Sequence, residues 1–393
     1  MWAVAAWLLW DTSVPSDLRL PDIPARDYFT QTALDKADHY ELFHRINWLL
    51  STVVLFVVLG FYAVRGVRFM KESAAGRIGT GMLLAMIGFG LVWLVQVPFA
   101  VAGNWWDRRH DVSKIGYWEL VFGGWLALGV QFLFLSLSVL IVMGLAGLVG
   151  KWWWIPGSLA FVGLATLFVF ISPWLTTDTH AIRDPELAAD VRRLARVQGV
   201  ADVEVRVEDV DRYTSAANAY ATGLGPSRKV FLWNTLLDGR FTDPEVRAVT
   251  AHEFGHQSQN HLWKAIAWYA LFAVPGAWAI ARLTRGRGGM QRPEAVPLAL
   301  LVLAALTLAA QPLQNVISRH MEAEADWEAL ETTRDPDAMT GLFQEFSKTS
   351  LGDPTPPGWA YVMLETHPPL LDRIEMAEAW KARNPDATPL FDD

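Results

Sequence analysis

Residues 252–256 read HEFGH. On a helix, positions four apart project from one face, so the imidazoles of His252 and His256 can both reach one metal ion. Glu253 then flanks the ion's open position, where a carboxylate can take a proton from an attacking water. The chemistry this spacing predicts is zinc-assisted hydrolysis. A pair of surface histidines would have no use for a base placed there, and neither would a purely structural metal site.

A catalytic zinc needs a third protein ligand and one position left for water. A third histidine in the pattern HExxHxxGxxH would fall at 262, which is Leu262, and His261 is one residue out of phase for that role. The better candidate lies in SRHMEAEADWEAL, residues 318–330, where Glu322 and Asp326 share a helical face and Glu324 points elsewhere. We therefore expect His252, His256 and Glu322 to be the ligands.

The elements that must hold these residues are set by an apolar chain. Of 393 residues, 52% are hydrophobic and only 19% charged, an unusual balance for a water-soluble protein of this size. Six segments, 46–64, 79–102, 120–149, 152–175, 262–280 and 295–317, are long enough to cross a bilayer, and Lys264 is the only charge inside any of them. Buried helices of a soluble protein would show a polar face, which these lack. Tryptophans at segment ends, Trp105-Trp106 and Trp152-Trp153-Trp154, suit the water–lipid interface.

The opening MWAVAAWLLW is apolar too, but ten residues of helix cover only about 15 Å, half a hydrocarbon core. It reads as a short or partly inserted extra helix. The chain has no cysteine, which excludes disulfides and thiolate metal sites, and its net charge of −8 gives no sign of nucleic-acid binding.

Two stretches look water-soluble, 176–261 and 318–393, and the domain division expected is 1–175 and 262–317 in the membrane with those two forming the metal domain. In the first, Asp184 caps a helix with Pro185 at its first position, Leu187, Val191 and Leu194 on one face, and Gly199 past its end. VEVRV, AANAYATG and RKVFLW read as strands, the last two joined through a Gly-Leu-Gly-Pro turn. Thr242 and Glu245 form a capping box that opens the HEFGH helix. Topology supports Glu322, because two spans after the HEFGH helix the chain returns to the same side.

The motifs ARDYF (25–29), AANAYATG (216–223), KVFLWNTLLDG (229–239), HEFGH (252–256), SRHMEAEAD (318–326) and HPPLLDRIE (367–375) resemble, in order, those of the type 1 CAAX prenyl proteases. These are integral-membrane zinc peptidases of the gluzincin class, and the resemblance covers roughly residues 26–380. It implies a mostly α polytopic protein of six to seven transmembrane helices enclosing a hydrated chamber, capped by an α+β zinc peptidase domain. It also implies one zinc per chain, with Glu322 as third ligand and Asp326 as the carboxylate that orients a ligand histidine. Asn218, Ala219 and Tyr220 then hold substrate from an edge strand, and His367 and Arg373 contact substrate or the oxyanion. The chain departs from the family in its 103–117 loop and in a first span reduced to residues 2–10.

The partners implied are a peptide or protein, prenylated or membrane-embedded, and membrane lipid, with the monomer as working unit. The competing class is a non-enzymatic metal-binding transporter or scaffold, against which Glu253 argues. One set of short loops holds nine bases, Arg65, Arg68, Lys71, Arg77, Lys151, Arg282, Arg285, Arg287 and Arg292, whereas the loop on the zinc side holds three, Arg108, Arg109 and Lys114. The positive-inside rule then places the zinc domain outside the cytoplasm.

Overall fold

The computed structural model describes residues 2–69, 76–123 and 125–391; Lys71 of the basic tally lies outside them. The first helix, α1 (Trp2–Leu9), has eight residues and no buried side chain, too short to cross. A single turn, α2 (Ala25–Tyr28), follows.

Six described helices are long and apolar enough to span a membrane, so this is a multi-pass membrane protein. Four come first: α3 (Gln31–Arg65), α4 (Gly76–Arg109), α5 (Trp125–Val149), entered through a π-turn at Glu119–Gly123, and α6 (Trp154–Leu175). Helix α3 is much longer than its apolar run. Its first half is polar and leaves the membrane on the metal side, where the Tyr40 hydroxyl donates to Asp107 at 2.7 Å and Arg45 pairs with Asp353 at 2.7 Å. Hydropathy marks where a helix meets lipid, not where it ends. Trp152 is exposed as an interfacial residue should be, but Trp153 is buried.

Between α6 and the HEFGH helix lies a four-stranded sheet, ordered β1-β2-β4-β3. Its strands are β1 (Thr179–His180), β2 (Glu204–Glu208), β3 (Ala219–Thr222) and β4 (Lys229–Trp233). β2 and β4 are parallel, with Val205 opposite Val230, and β3 returns antiparallel with Tyr220 opposite Phe231. A parallel pair needs a crossover, which the sequence reading did not assign. Helix α7 (Pro185–Val197) is capped as expected, Asp184 accepting from the Glu186 amide at 2.8 Å. Leu187, Val191 and Leu194 pack with Val230, Leu232, Phe254 and Ile374 in one core.

The HEFGH helix is α8 (Asp243–Ser258), opened by the expected capping box, in which the Thr242 amide donates to Glu245 at 2.8 Å. The chain breaks at Asn260, in the left-handed region at φ 56°, and re-enters as the fifth span, α9 (His261–Leu283). The sixth span belongs to α10 (Val296–Thr333), a single helix of 38 residues that leaves the apolar zone and continues through Glu322 and Asp326. Helices α11 (Pro336–Ser350), α12 (Gly358–Met363) and α13 (Leu370–Arg383) complete the domain. Gly255 fixes the approach of α8 to α10: a Cβ there would stand 3.1 Å from the Ala325 Cα.

Candidate active site

Helices α8 and α10 bring three ligand atoms together. His252 Nε2 and His256 Nε2 lie 3.1 Å apart, and the Glu322 carboxylate reaches them at 3.2 Å and 3.5 Å. Ligands about 2.0–2.2 Å from a tetrahedral zinc stand roughly 3.3 Å from one another, so the spacing matches what such an ion requires. Glu322 Oε2 is buried and, although it stands 3.2 Å from His252 Nε2, makes no well-aligned hydrogen bond among the described residues, a costly arrangement that a cation would relieve. The residues present therefore fit a metal.

Each imidazole is held from behind. His252 Nδ1 lies 2.8 Å from Asp326 Oδ1, which directs the proton to Nδ1 and leaves the Nε2 lone pair for a metal. Arg373 grips Asp326 bidentately, at 2.6 Å and 2.7 Å, and is buried with it. Asp326 thus lies behind His252, on the side away from Glu322. Arg373 faces that carboxylate behind His252, whereas His367 is mostly exposed, with Nε2 3.5 Å from Glu322 on the open side.

The second imidazole has a support the sequence reading missed. His256 Nδ1 lies 2.8 Å from His261 Nδ1, and His261 Nε2 lies 2.8 Å from Glu324 Oε2. One proton arrangement satisfies both contacts: His256 donates from Nδ1, His261 donates from Nε2, and His256 Nε2 stays free. Glu324 is almost wholly buried and also accepts from Lys264 and the Ser13 amide, each at 2.8 Å. Glu324 does point away from the metal position, but into this chain rather than into water. The signal available was the placement of His261 five residues after His256. Its partner lies 63 residues away, beyond any periodicity.

Glu253 is buried beside the ligands. Burial pushes its carboxyl up to about 7, partly opposed by the charge of His252 and the Ala221 amide and reinforced by Glu322. That amide belongs to β3, which among the described residues pairs only with β4, so the outer edge of the sheet faces the base. Gln257 ties the same edge to α8 by donating to the Thr222 carbonyl at 3.1 Å. Asn218 is exposed at the start of β3, Ala219 is buried, and the Tyr220 hydroxyl donates to Glu208 at 3.0 Å.

A buried carboxylate poised near neutrality beside a histidine–histidine–glutamate triad, on helices that enter a bilayer, defines a membrane metallopeptidase. The chain belongs to peptidase family M48, whose sequence profile matches residues 181–381. It is 30% identical over 263 residues to the uncharacterized metalloprotease YhfN of Bacillus subtilis, covering 63% of this chain and 62% of that one. It is 23% identical over 390 residues to a CAAX prenyl protease 1 homolog of Arabidopsis thaliana, covering 91% and 90%. The crystal structure of S. mikatae Ste24p superposes with a TM-score of 0.69 at 18% identity, over 96% of this chain and 95% of that one, and shows the same fold. The likeness to the type 1 CAAX prenyl proteases thus extends from short motifs to the whole chain.

Proposed function

We propose that this protein is a zinc endopeptidase that cleaves peptide bonds in substrates with an apolar segment, the monomer binding one zinc through His252, His256 and Glu322. The observation that carries the reading is the convergence of these three ligand atoms beside Glu253. Residues 176–261 and 318–393 form the peptidase unit, and 1–175 and 262–317 hold it in the membrane.

Bound zinc would supply Lewis acidity, activating water and polarising the scissile carbonyl. The chain supplies the rest. Glu253 takes the proton of the attacking water and returns it to the leaving amine. His367, on the open side, donates to the developing oxyanion. Arg373 acts through Asp326, fixing the His252 ring. Asn218, Ala219 and Tyr220 offer the free edge of β3 to an extended substrate, which adds as a fifth strand beside Glu253.

The apolar segment has a place to lie. A cavity of about 420 Å³ runs between α3, α4, α5 and α10, lined by residues including Trp48, Phe56, Phe89 and Leu308, with Gln311 at one end. Gln311 precedes Glu322 by three turns of α10, about 16 Å. Prenylated tails and membrane-embedded segments both meet this requirement.

Chelation of the purified full-length protein is expected to abolish cleavage of a quenched-fluorescence peptide, and stoichiometric zinc to restore it. Cleavage that persists in metal-free protein would remove the zinc reading; zinc binding without any cleavage would favour a transporter or scaffold.

The loop count supports a peptidase unit outside the cytoplasm. Single cysteines at the exposed positions Arg192 and Arg285 report on the two sides. A membrane-impermeant maleimide added to intact cells is expected to label Arg192→Cys and spare Arg285→Cys. The reverse pattern would put the zinc in the cytoplasm.

A further inference from the structure

We propose that the end of the molecule opposite the zinc site holds the phosphodiester headgroup of an anionic phospholipid. The 284–295 connection joins α9 to α10, whose far ends carry His261 and Glu322, and 22 helical residues of α9 separate the two ends by about 33 Å. At this end lies a cavity of about 590 Å³. One wall is apolar, made by Ala63, Val64 and Val67 where the first span ends, and the other carries Arg287, Arg292 and Glu294.

The two arginines are set in place by the backbone. Arg287 donates through Nη1 to the Ala63 carbonyl, which ties its guanidinium to the cavity wall, and among the described residues its Nη2 makes no hydrogen bond. Gly288 has φ +82°, and a Cβ there would stand 2.5 Å from Arg292 Cγ, so glycine both permits the turn and lets the Arg292 stem fold across it. Among the described residues neither arginine pairs with a carboxylate, nor do Arg65, Arg77, Lys151, Arg282 or Arg285 on the same face.

Charge and shape together select the ligand. Two arginines and one glutamate leave the cavity with a net positive charge, which a phosphodiester neutralises, and guanidinium forks match phosphate oxygens bidentately. The arginines alone would serve a free phosphate equally well. The apolar wall decides for lipid: Val64 is 65% exposed at the end of a span, where ester groups and acyl chains lie against it.

Thermal unfolding of the full-length protein in detergent tests this with three additives: phosphatidylglycerol, phosphatidylcholine and inorganic phosphate. Phosphatidylglycerol alone is expected to raise the midpoint, by several degrees. Native mass spectrometry is expected to show Arg292→Gln, which removes no side-chain hydrogen bond found among the described residues and so leaves the fold intact, retaining phosphatidylglycerol at least five-fold more weakly. Arg282→Gln, on the same face outside the cavity, is expected to bind as wild type. Equal shifts with inorganic phosphate would make this a free-anion site, and equal losses in the two variants would reduce it to diffuse surface charge; either result overturns the proposal.

Discussion

Replacing Glu253 by glutamine is expected to leave the metal bound while lowering peptide hydrolysis by about 10²–10⁴-fold, the range general acid–base catalysis contributes. The substitution keeps the volume and removes only the basic oxygen, so His252, His256 and Glu322 keep their places. Sign and pH dependence follow from the burial of this carboxyl. In the metal-free chain burial holds it up near 7, and a bound dication pulls it down again. Since the base must be ionised, wild-type kcat/KM is expected to rise with pH along an acid limb whose midpoint lies below 7. Metal content by mass spectrometry, paired with peptide cleavage, checks both halves. A variant with more than a tenth of wild-type turnover would remove Glu253 from the mechanism.

The second large effect is graded across one helix face. Structural zinc sites bind with about 10–16 kcal/mol from four ligands, roughly 2.5–4 kcal/mol each, so Glu322→Ala is expected to weaken zinc by about two to three orders of magnitude. Glu324→Ala and His261→Ala remove a support of His256 rather than a ligand, and the expected loss is about 10–100-fold. A chelator-competition titration of the purified variants measures all three. If Glu324→Ala matches Glu322→Ala, the ligand assignment fails; if it matches wild type, the His261 contact orients nothing.

Much of this was legible before the structure, for identifiable reasons. Local signals survived intact: the Asp184 cap, the Thr242–Glu245 box, the HEFGH spacing and the apolar runs each depend on neighbours within a few residues. What was lost is nonlocal or lies beyond the lipid boundary. No hydropathy profile could show that α3 begins at Gln31 or that α10 runs unbroken to Thr333, because their polar halves are ordinary amphipathic sequence. The parallel pairing of β2 with β4 depends on register across more than twenty residues. The sequence reading says of Glu324 only that it points elsewhere, because its partners, Ser13, His261 and Lys264, lie far from it along the chain.

The uninterrupted course of α10 has a mechanical consequence. Two of the proposed metal ligands stand on α8, which meets α9 at the Asn260 break, and the third rides on α10, a continuous helix with Pro312 inside it that is anchored across the bilayer. A tilt of about 5° over a lever of about 30 Å, one hydrocarbon core, moves the far end by about 2.6 Å, many times the roughly 0.2 Å tolerance of a coordination bond. Spans answer hydrophobic mismatch by tilting. The thickness of the surrounding bilayer would therefore bear on the distance between Glu322 and the two histidines, and the membrane would act as a spring against the metal site proposed for them.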